Sequence, residues 1–214
     1  MREGLHIVFR ILCIMMVVAV ENLLMPTQKE QRKKQGVLEW TALLGVCVLT
    51  VLMEERKHPG GVGEACRECL MQNLFWGNLL LALLQDVREC LVYRIIWLII
   101  MLVLGFQILQ NGIEPTSLLG VLFYCTFQEL IGSQFYGRAD CHCFSCIAFF
   151  VMTSGGYIGE MLQFLVIHMI ASFLLLGVVS VLQGNLNRKG NLLYPVPFIP
   201  YIYLSLLVLL NSEV

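Results

Sequence analysis

Residues 136–146 read Tyr-Gly-Arg-Ala-Asp-Cys-His-Cys-Phe-Ser-Cys, a short stretch that leads directly into a long apolar run. Asp140 therefore stands at the entrance of a segment that is apolar enough for a membrane. An ionisable side chain is costly at such a place, and it indicates a functional site. The chain contains one other Asp, Asp86, which closes the apolar run 74–84. Two Asp residues at the edges of apolar runs suggest a pair.

The segments between the two Asp residues predict which side of a membrane each occupies. Two further apolar runs, 92–109 and 117–131, separate Asp86 from Asp140. Two crossings return the chain to the side that it left. We therefore expect Asp86 and Asp140 to share one membrane face.

The composition excludes an ordinary soluble domain. Hydrophobic residues make up 58% of the chain and charged residues only 14%, whereas a soluble domain has roughly 25% charged residues. The mean hydropathy is +0.77. We predict an all-α integral membrane protein, a polytopic bundle of about eight transmembrane helices in a lipid bilayer. The net charge of −1 offers nothing to a nucleic acid.

Eight apolar runs are long enough, or nearly so, to cross a bilayer. They predict helices at about residues 5–25, 37–53, 69–85, 92–109, 117–131, 141–158, 161–182 and 196–210. We divide the chain into residues 1–68, an N-terminal pair of helices with a basic cytoplasmic loop and an outer loop, and residues 69–214, a membrane core.

Positive charges orient the bundle, because loops rich in Lys and Arg stay in the cytoplasm. The predicted cytoplasmic side holds nine of them and the outside holds four. The nine are Lys29, Arg32, Lys33, Lys34, Arg88, Arg94, Arg138, Arg188 and Lys189, and the four are Arg2, Arg56, Lys57 and Arg67. Asp86 and Asp140 are therefore predicted to face the cytoplasm.

Two carboxyl groups held close together do not both ionise easily. One keeps its proton as a general acid, while the other is ionised and activates water as a general base. This chemistry is that of an aspartyl peptidase. The alternative is that both are ordinary helix-terminal residues, with Asp140 as an N-terminal cap. Asp86 fits that alternative less well, because the C-terminal end of a helix disfavours an anion.

Three motifs carry a resemblance to a known family. Asp86-Val87-Arg88 resembles the Asp-Leu-Arg of the type IV prepilin peptidases, which are membrane aspartyl peptidases of the Gly-x-Gly-Asp type. Gly137-Arg138-Ala139-Asp140 resembles their Gly-x-Gly-Asp, and Pro197-Phe198-Ile199-Pro200 resembles their Pro-Phe-Gly-Pro. The motifs run in the family's order from about residue 70 to the end of the chain. The core 69–214 is thus prepilin-peptidase-like.

The resemblance implies a multi-pass enzyme of a bacterial inner membrane, belonging to a type IV pilus or secretion system. Its catalytic residues would be Asp86 and Asp140. The substrate would be a prepilin-like protein, with a short basic leader that is cleaved at the cytoplasmic membrane face. The residues 26–36 are too short for the family's N-methyltransferase domain, so we predict no methylation. Supporting motif residues would be Arg88, Gly137, Arg138, Ala139, His142, Pro197 and Pro200.

This chain departs from the family's pattern at several positions. Ala139 replaces the second Gly, and an Ala with positive φ would be strained. His142 stands where the family usually has Lys, and it could place a titratable charge beside Asp140. Ile199 replaces a Gly, and residues 92–94 read Val-Tyr-Arg in place of Ile-Pro-Asn. The chain is therefore interpreted as a divergent member.

Two other functions fit parts of the sequence. One is an inactive homologue that binds pilin-like helices. The other is a small proton-coupled carrier that uses Asp86, Asp140 and His168, although carriers prefer carboxyls near the midplane. Otherwise His168 is expected to face the bundle and make a local hydrogen bond.

The cysteines raise the alternative of a zinc site. Cys141, His142, Cys143 and Cys146 are close in sequence, and the pair Cys66/Cys69 could complete the ligand set. The predicted topology puts these two groups on opposite membrane faces, and Cys is a common small packing residue. We expect no metal and no other cofactor.

Overall fold

The computed structural model describes residues 65–153, 157–186 and 196–211, and shorter stretches at 7–8, 10–16, 18–19, 44–48 and 50–51. These residues form an all-helical structure of eight helices, without a strand in the described ranges. The all-helical prediction is confirmed. The helices are α1 (within 7–19), α2 (within 44–51), α3 (Ala65–Glu89), α4 (Arg94–Asn111), α5 (Pro115–Leu130), α6 (Arg138–Thr153), α7 (Ile158–Leu186) and α8 (Ile199–Asn211).

The observed helices differ in length from the apolar runs that predicted them. α3 extends beyond the predicted 69–85 at both ends, and it crosses the boundary drawn between residues 68 and 69. α6 covers 138–153, where 141–158 was predicted. Hydropathy marks the apolar part of a helix, whereas hydrogen bonding continues into polar ends. Parts of the chain between the predicted helices, residues 28–35, 54–64 and 187–194, lie outside the described residues, as do residues 155 and 156.

One helix in the described part of the chain, α7, is long and apolar enough to cross a membrane, over Ile158–Leu182. The apolar helices Arg94–Gln110 and Ile199–Leu210 are shorter.

The core is built around α3 and α6. Leu79, Leu80, Leu81 and Ala82 are consecutive and fully buried, which means that this part of α3 is covered on every side, as expected of a stretch that is apolar all round. α3 packs against α4 and α8, whereas α6 packs against α4, α5, α7 and α8.

Aromatic side chains fix how α3 and α6 lie against each other. The rings of Phe75 and Phe150 stack at 4.1 Å. Phe75 lies 11 residues before Asp86, and Phe150 lies 10 residues after Asp140. At 1.5 Å per residue, each Asp is about 16 Å along its helix from this stack. Because the two helices run in opposite directions, both Asp residues come to the same end of the bundle.

The N-terminal helices attach to this core through polar contacts. Arg10 in α1 is buried, and its Nε donates to Asn73 Oδ1 of α3 at 3.1 Å. The hydroxyl groups of Thr50 in α2 and Tyr203 in α8 are hydrogen-bonded. These contacts place residues 1–68 and 69–214 in one packed unit where both are described.

Candidate active site

Asp86 lies near the C-terminal end of α3 and is only 6% exposed. Its Oδ2 accepts a hydrogen bond of 2.9 Å from the backbone N–H of Ile199, the first residue of α8. The first N–H groups of a helix have no partner within it, and the helix dipole favours an anion there. The N-terminus of α8 therefore compensates for the unfavourable position of Asp86 on its own helix.

The third motif explains why Ile199 supplies this bond. Pro200 is the second residue of α8 and has no N–H to donate. The N–H groups of Tyr201 and Ile202 donate to the carbonyl oxygen of Phe198, at 3.0 and 3.3 Å. Ile199 is thus left as the donor that α8 directs towards Asp86. The first and third motifs meet at this contact, although 113 positions separate the two residues.

Asp140 lies in the first turn of α6. Its Oδ2 accepts a hydrogen bond of 3.1 Å from the N–H of Gly137, which is one of the two contacts of a capping box, since Gly137 has no side chain to make the other. A Cβ at position 137 would lie 3.0 Å from that oxygen, so Gly gives the carboxyl its room. Asp140 thus has the helix-start role that was the alternative to catalysis.

The two carboxyl groups are close enough for the charge of Asp86 to affect the ionisation of Asp140. Both lie outside the predicted apolar spans, which end at residue 85 and begin at residue 141. Burial and then the negative charge of Asp86 raise the pKa of Asp140 to about 7, against the opposing N–H of Gly137. Burial also raises the pKa of Asp86, while the N–H groups of Ile199 and Phe198 lower it. This arrangement favours an ionised Asp86 beside a protonated Asp140, and the two titrate as one unit.

Ala139 is free of the strain that a left-handed backbone would impose. It is the second residue of α6. Among the described residues, Cys90 is the one non-glycine with positive φ. Ala suits a helical position better than Gly does, so this departure from the family's motif leaves the local fold intact.

Tyr136, in the turn before the second motif, bonds Gln128 of α5, and the sequence singled out neither residue. The hydroxyl of Tyr136 donates to Oε1 of Gln128, which is fully buried. The Tyr136 ring contacts Phe144 at 5.8 Å and Phe198 of the third motif at 6.1 Å. Tyr136 directly precedes the motif, and these partners come from α5, α6 and the start of α8, of which Phe198 is far away in the sequence.

The side chain of His142 points away from Asp140. Its Nδ1 lies 3.0 Å from Oε1 of Glu129, near the end of α5, and its ring centroid lies 6.5 Å from that of Trp97. Residues two apart on a helix point to different sides. The expected charge beside Asp140 is thus directed towards α4 and α5. Both partners are more than a third exposed, and such pairs stabilise a fold weakly.

The remaining motif residues lie on the helices that carry the pair or at the start of α8. Arg88 is in the last turn of α3, where a basic residue complements the helix dipole. Arg138 begins α6 and is exposed, and Pro197 and Pro200 flank the start of α8 and are partly buried.

The cysteines that follow the second motif lie in the core. Cys141, Cys143 and Cys146 are buried free thiols on α6. In the part of the chain that is described, no group of three or more His, Cys, Asp or Glu side chains is arranged to hold a metal ion. The side chains of Cys66 and Cys69 lie outside that part.

His168 lies in the middle of α7 and is fully buried. Its Nε2 lies 2.9 Å from the carbonyl oxygen of Ile202 in α8. The prediction of a bundle-facing His with a local hydrogen bond is confirmed.

No protein-family model, curated protein or solved structure matches the chain. The resemblance to the prepilin peptidases therefore stands on the three motifs, and the structure adds that they meet at one end of the bundle.

Proposed function

We propose that this chain is a multi-pass membrane aspartyl endopeptidase similar to the type IV prepilin peptidases, with Asp86 and Asp140 as its catalytic pair. The observation that carries the proposal is the proximity of the three motifs at one end of the bundle. The charge of Asp86 acts on Asp140 of the second motif, and the N–H of Ile199 in the third motif holds Asp86. Helix-capping alone gives no reason for a buried and a partly buried carboxyl group to be neighbours, because that placement disfavours their ionisation.

The surroundings of each carboxyl group suggest its role. Asp86 receives backbone N–H bonds that stabilise its ionised form, so it is the general base that takes a proton from water. Asp140, whose pKa is raised to about 7, keeps its proton below that pH and is the general acid. Water attacks the peptide carbonyl, and the amine leaves with the proton of Asp140.

The surface of the bundle supports a place in the membrane. Few residues of the Ile158–Leu182 segment are buried, whereas an equally apolar helix in a soluble protein would be a buried core helix. α4 and α5 also direct large apolar side chains outwards, since Leu102 is 65% exposed and Phe123 is 75% exposed. A bilayer covers such surfaces without cost. We therefore propose that several helices cross the inner membrane of a bacterium.

The proposed substrate follows from where the pair lies. The two Asp residues share one end of the bundle, and the distribution of Lys and Arg predicts that this end faces the cytoplasm. A prepilin-like protein presents a basic leader there, followed by a hydrophobic helix. Its backbone must unwind locally before a peptide bond reaches the pair, because helical peptide groups are already hydrogen-bonded.

The test replaces each Asp by Asn and measures cleavage of a co-expressed pilin-like substrate. Asn keeps an oxygen that accepts the N–H of Ile199 or Gly137, so both variants should insert and accumulate. It cannot exchange a proton with the substrate, and each variant should lose about 10² to 10⁴-fold in rate. Glu160→Gln is the control, because Glu160 is exposed in the first turn of α7. Near-normal cleavage by either Asp→Asn variant would contradict the mechanism.

A further inference from the structure

A closed cluster of polar groups joins α7 to α8 directly beyond the start of α8. His168 Nε2 lies 2.9 Å from the carbonyl oxygen of Ile202. Ser172 Oγ lies 2.7 Å from the carbonyl oxygen of His168 and 2.7 Å from Ser205 Oγ. Ser205 Oγ in turn lies 2.9 Å from the carbonyl oxygen of Ile202. The side chains of His168, Ser172 and Ser205 are at most 1% exposed.

The geometry defines the form of His168 in this cluster. A carbonyl oxygen only accepts hydrogen bonds, so Nε2 carries the proton and donates it. Nδ1 is then a buried acceptor, and it has no partner among the described residues. The structure therefore uses His168 for one directed bond to α8. A buried polar group left half-satisfied in this way is retained against a cost.

His168 also contacts the helix that carries Asp140. Its ring centroid lies 5.5 Å from that of Phe144, with the rings edge to face. Phe144 is four residues after Asp140, and Ile202 is three residues after Ile199. Residues at these spacings share a helix face, about one turn or 5.4 Å apart. His168 thus touches α6 and α8 one turn beyond the two groups that face Asp86.

We propose that His168, together with Ser172 and Ser205, is a positioning residue that holds α6 and α8 at the separation that the Asp86–Asp140 pair requires. Apolar packing among lipid-exposed helices allows them to slide, whereas a directed hydrogen bond defines their register. The catalytic consequence rests on the proposed peptidase function. The structural consequence is that Ile199 stays within hydrogen-bonding distance of Asp86.

The test compares His168→Phe with the parent protein in detergent micelles. Phe keeps an aromatic ring against Phe144 but cannot donate to Ile202. The readout is the titration of the carboxyl pair by infrared difference spectroscopy, assigned by the signals that Asp86→Asn and Asp140→Asn remove. The titratable side chains whose charges interact with the pair, Cys90, Tyr136, Cys141 and Cys143, are the same in all variants.

We expect the first ionisation of the pair to move to higher pH in His168→Phe. Asp86 loses the N–H of Ile199 when α8 shifts, and a hydrogen bond to a charged group corresponds to about 1 to 2 pH units. Cleavage should fall at least about tenfold, because small misplacements of reacting groups are costly. The acid limb of the pH profile of cleavage should move by the same number of pH units as the first ionisation.

Two further variants, Ser172→Ala and Ser205→Ala, test the same proposal if His168→Phe does not fold. Each removes one hydroxyl, and each should move the titration in the same direction by a smaller amount. Their effects should not add in the double variant, because the two hydroxyls share one network. Thr126→Ala is the matched control. It removes a hydroxyl bonded to a backbone carbonyl of α5, on the exposed surface, and should leave the titration unchanged.

The infrared readout separates this proposal from the proposed function. If the titration of the folded variants superimposes on that of the parent, the positioning role is wrong, even if the chain cleaves prepilins. If the titration moves as expected and the parent cleaves no substrate, the positioning role stands and the peptidase proposal fails.

Discussion

Asp86 and Asp140 have the same side chain in different surroundings. Asp86 faces the N-terminal N–H groups of α8, which stabilise its negative charge. Asp140 has the N–H of Gly137, and it also faces the charge of Asp86. Neighbouring groups that push two pKa values apart are what an acid and a base working together require.

The raised pKa of Asp140 predicts how stability depends on pH. The folded state binds this proton more tightly than the unfolded state, whose carboxyl titrates near 3.8. The stabilisation is complete below 3.8 and is lost as pH rises through about 7. Thermal unfolding in micelles should therefore show a stability that falls over this range. Asp140→Asn, which does not titrate, should flatten the fall, and an unchanged slope would contradict the assignment.

The same pKa value predicts a limb of the activity profile. Cleavage should decline above about pH 7, because Asp140 then lacks the proton that the leaving amine needs. The two limbs belong to the pair as a unit.

The connection between α5 and α6 positions the second motif. A 3-10 turn, Gly132–Gln134, follows α5. Gly132 is buried below Tyr136, whose N–H donates to the Gly132 carbonyl oxygen at 3.1 Å. Tyr136 then contacts Phe198 of the third motif. The turn thus aligns the start of α6 with the start of α8.

Gly132→Ala should disturb this alignment. A Cβ there would lie 2.9 Å from Gln128 Oε1 and would also meet the hydroxyl end of Tyr136. Overpacking of this kind typically costs about 1 to 3 kcal/mol. The thermal unfolding temperature and the rate of substrate cleavage should both decrease. Gly105→Ala is the control, because a Cβ at Gly105 has nothing within 4 Å, and equal effects of the two substitutions would refute the packing argument.

Two exposed loops lie at opposite ends of α5, and the length of this helix sets the distance between them. It has 16 residues and is about 24 Å long. Glu114 precedes it, Gln134 follows it, and both are exposed. Arg138 follows Gln134 closely, whereas the loop 112–114 has no basic residue. The positive-inside rule then predicts that Gln134 faces the cytoplasm.

Labelling of intact cells with a membrane-impermeant thiol reagent tests this orientation. Glu114→Cys should react from outside, and Gln134→Cys should react only after the cells are permeabilised. The two sites form a matched pair, because they lie at opposite ends of one helix. Labelling of Gln134→Cys alone in intact cells would invert the orientation and exclude cleavage of a cytoplasmic leader.

The sequence by itself determined the all-helical class and the approximate position of each described helix, and it singled out Asp86 and Asp140 as the candidate pair. These properties are local. Hydropathy and helix formation depend on residues within a few turns of each other, so a stretch such as 141–153 reports them directly. The sequence also shows that Ala139 precedes Asp140, but it does not define the backbone conformation of Ala139.

Only the tertiary structure decided which groups surround each side chain. It directed His142 to Glu129 and away from Asp140, it paired Tyr136 with Gln128, and it brought the N–H of Ile199 to Asp86. His168 likewise found its acceptor on another helix. Each of these contacts depends on the rotation and register of one helix against another. Those are set by the packing of whole helix faces, which no short stretch of sequence contains.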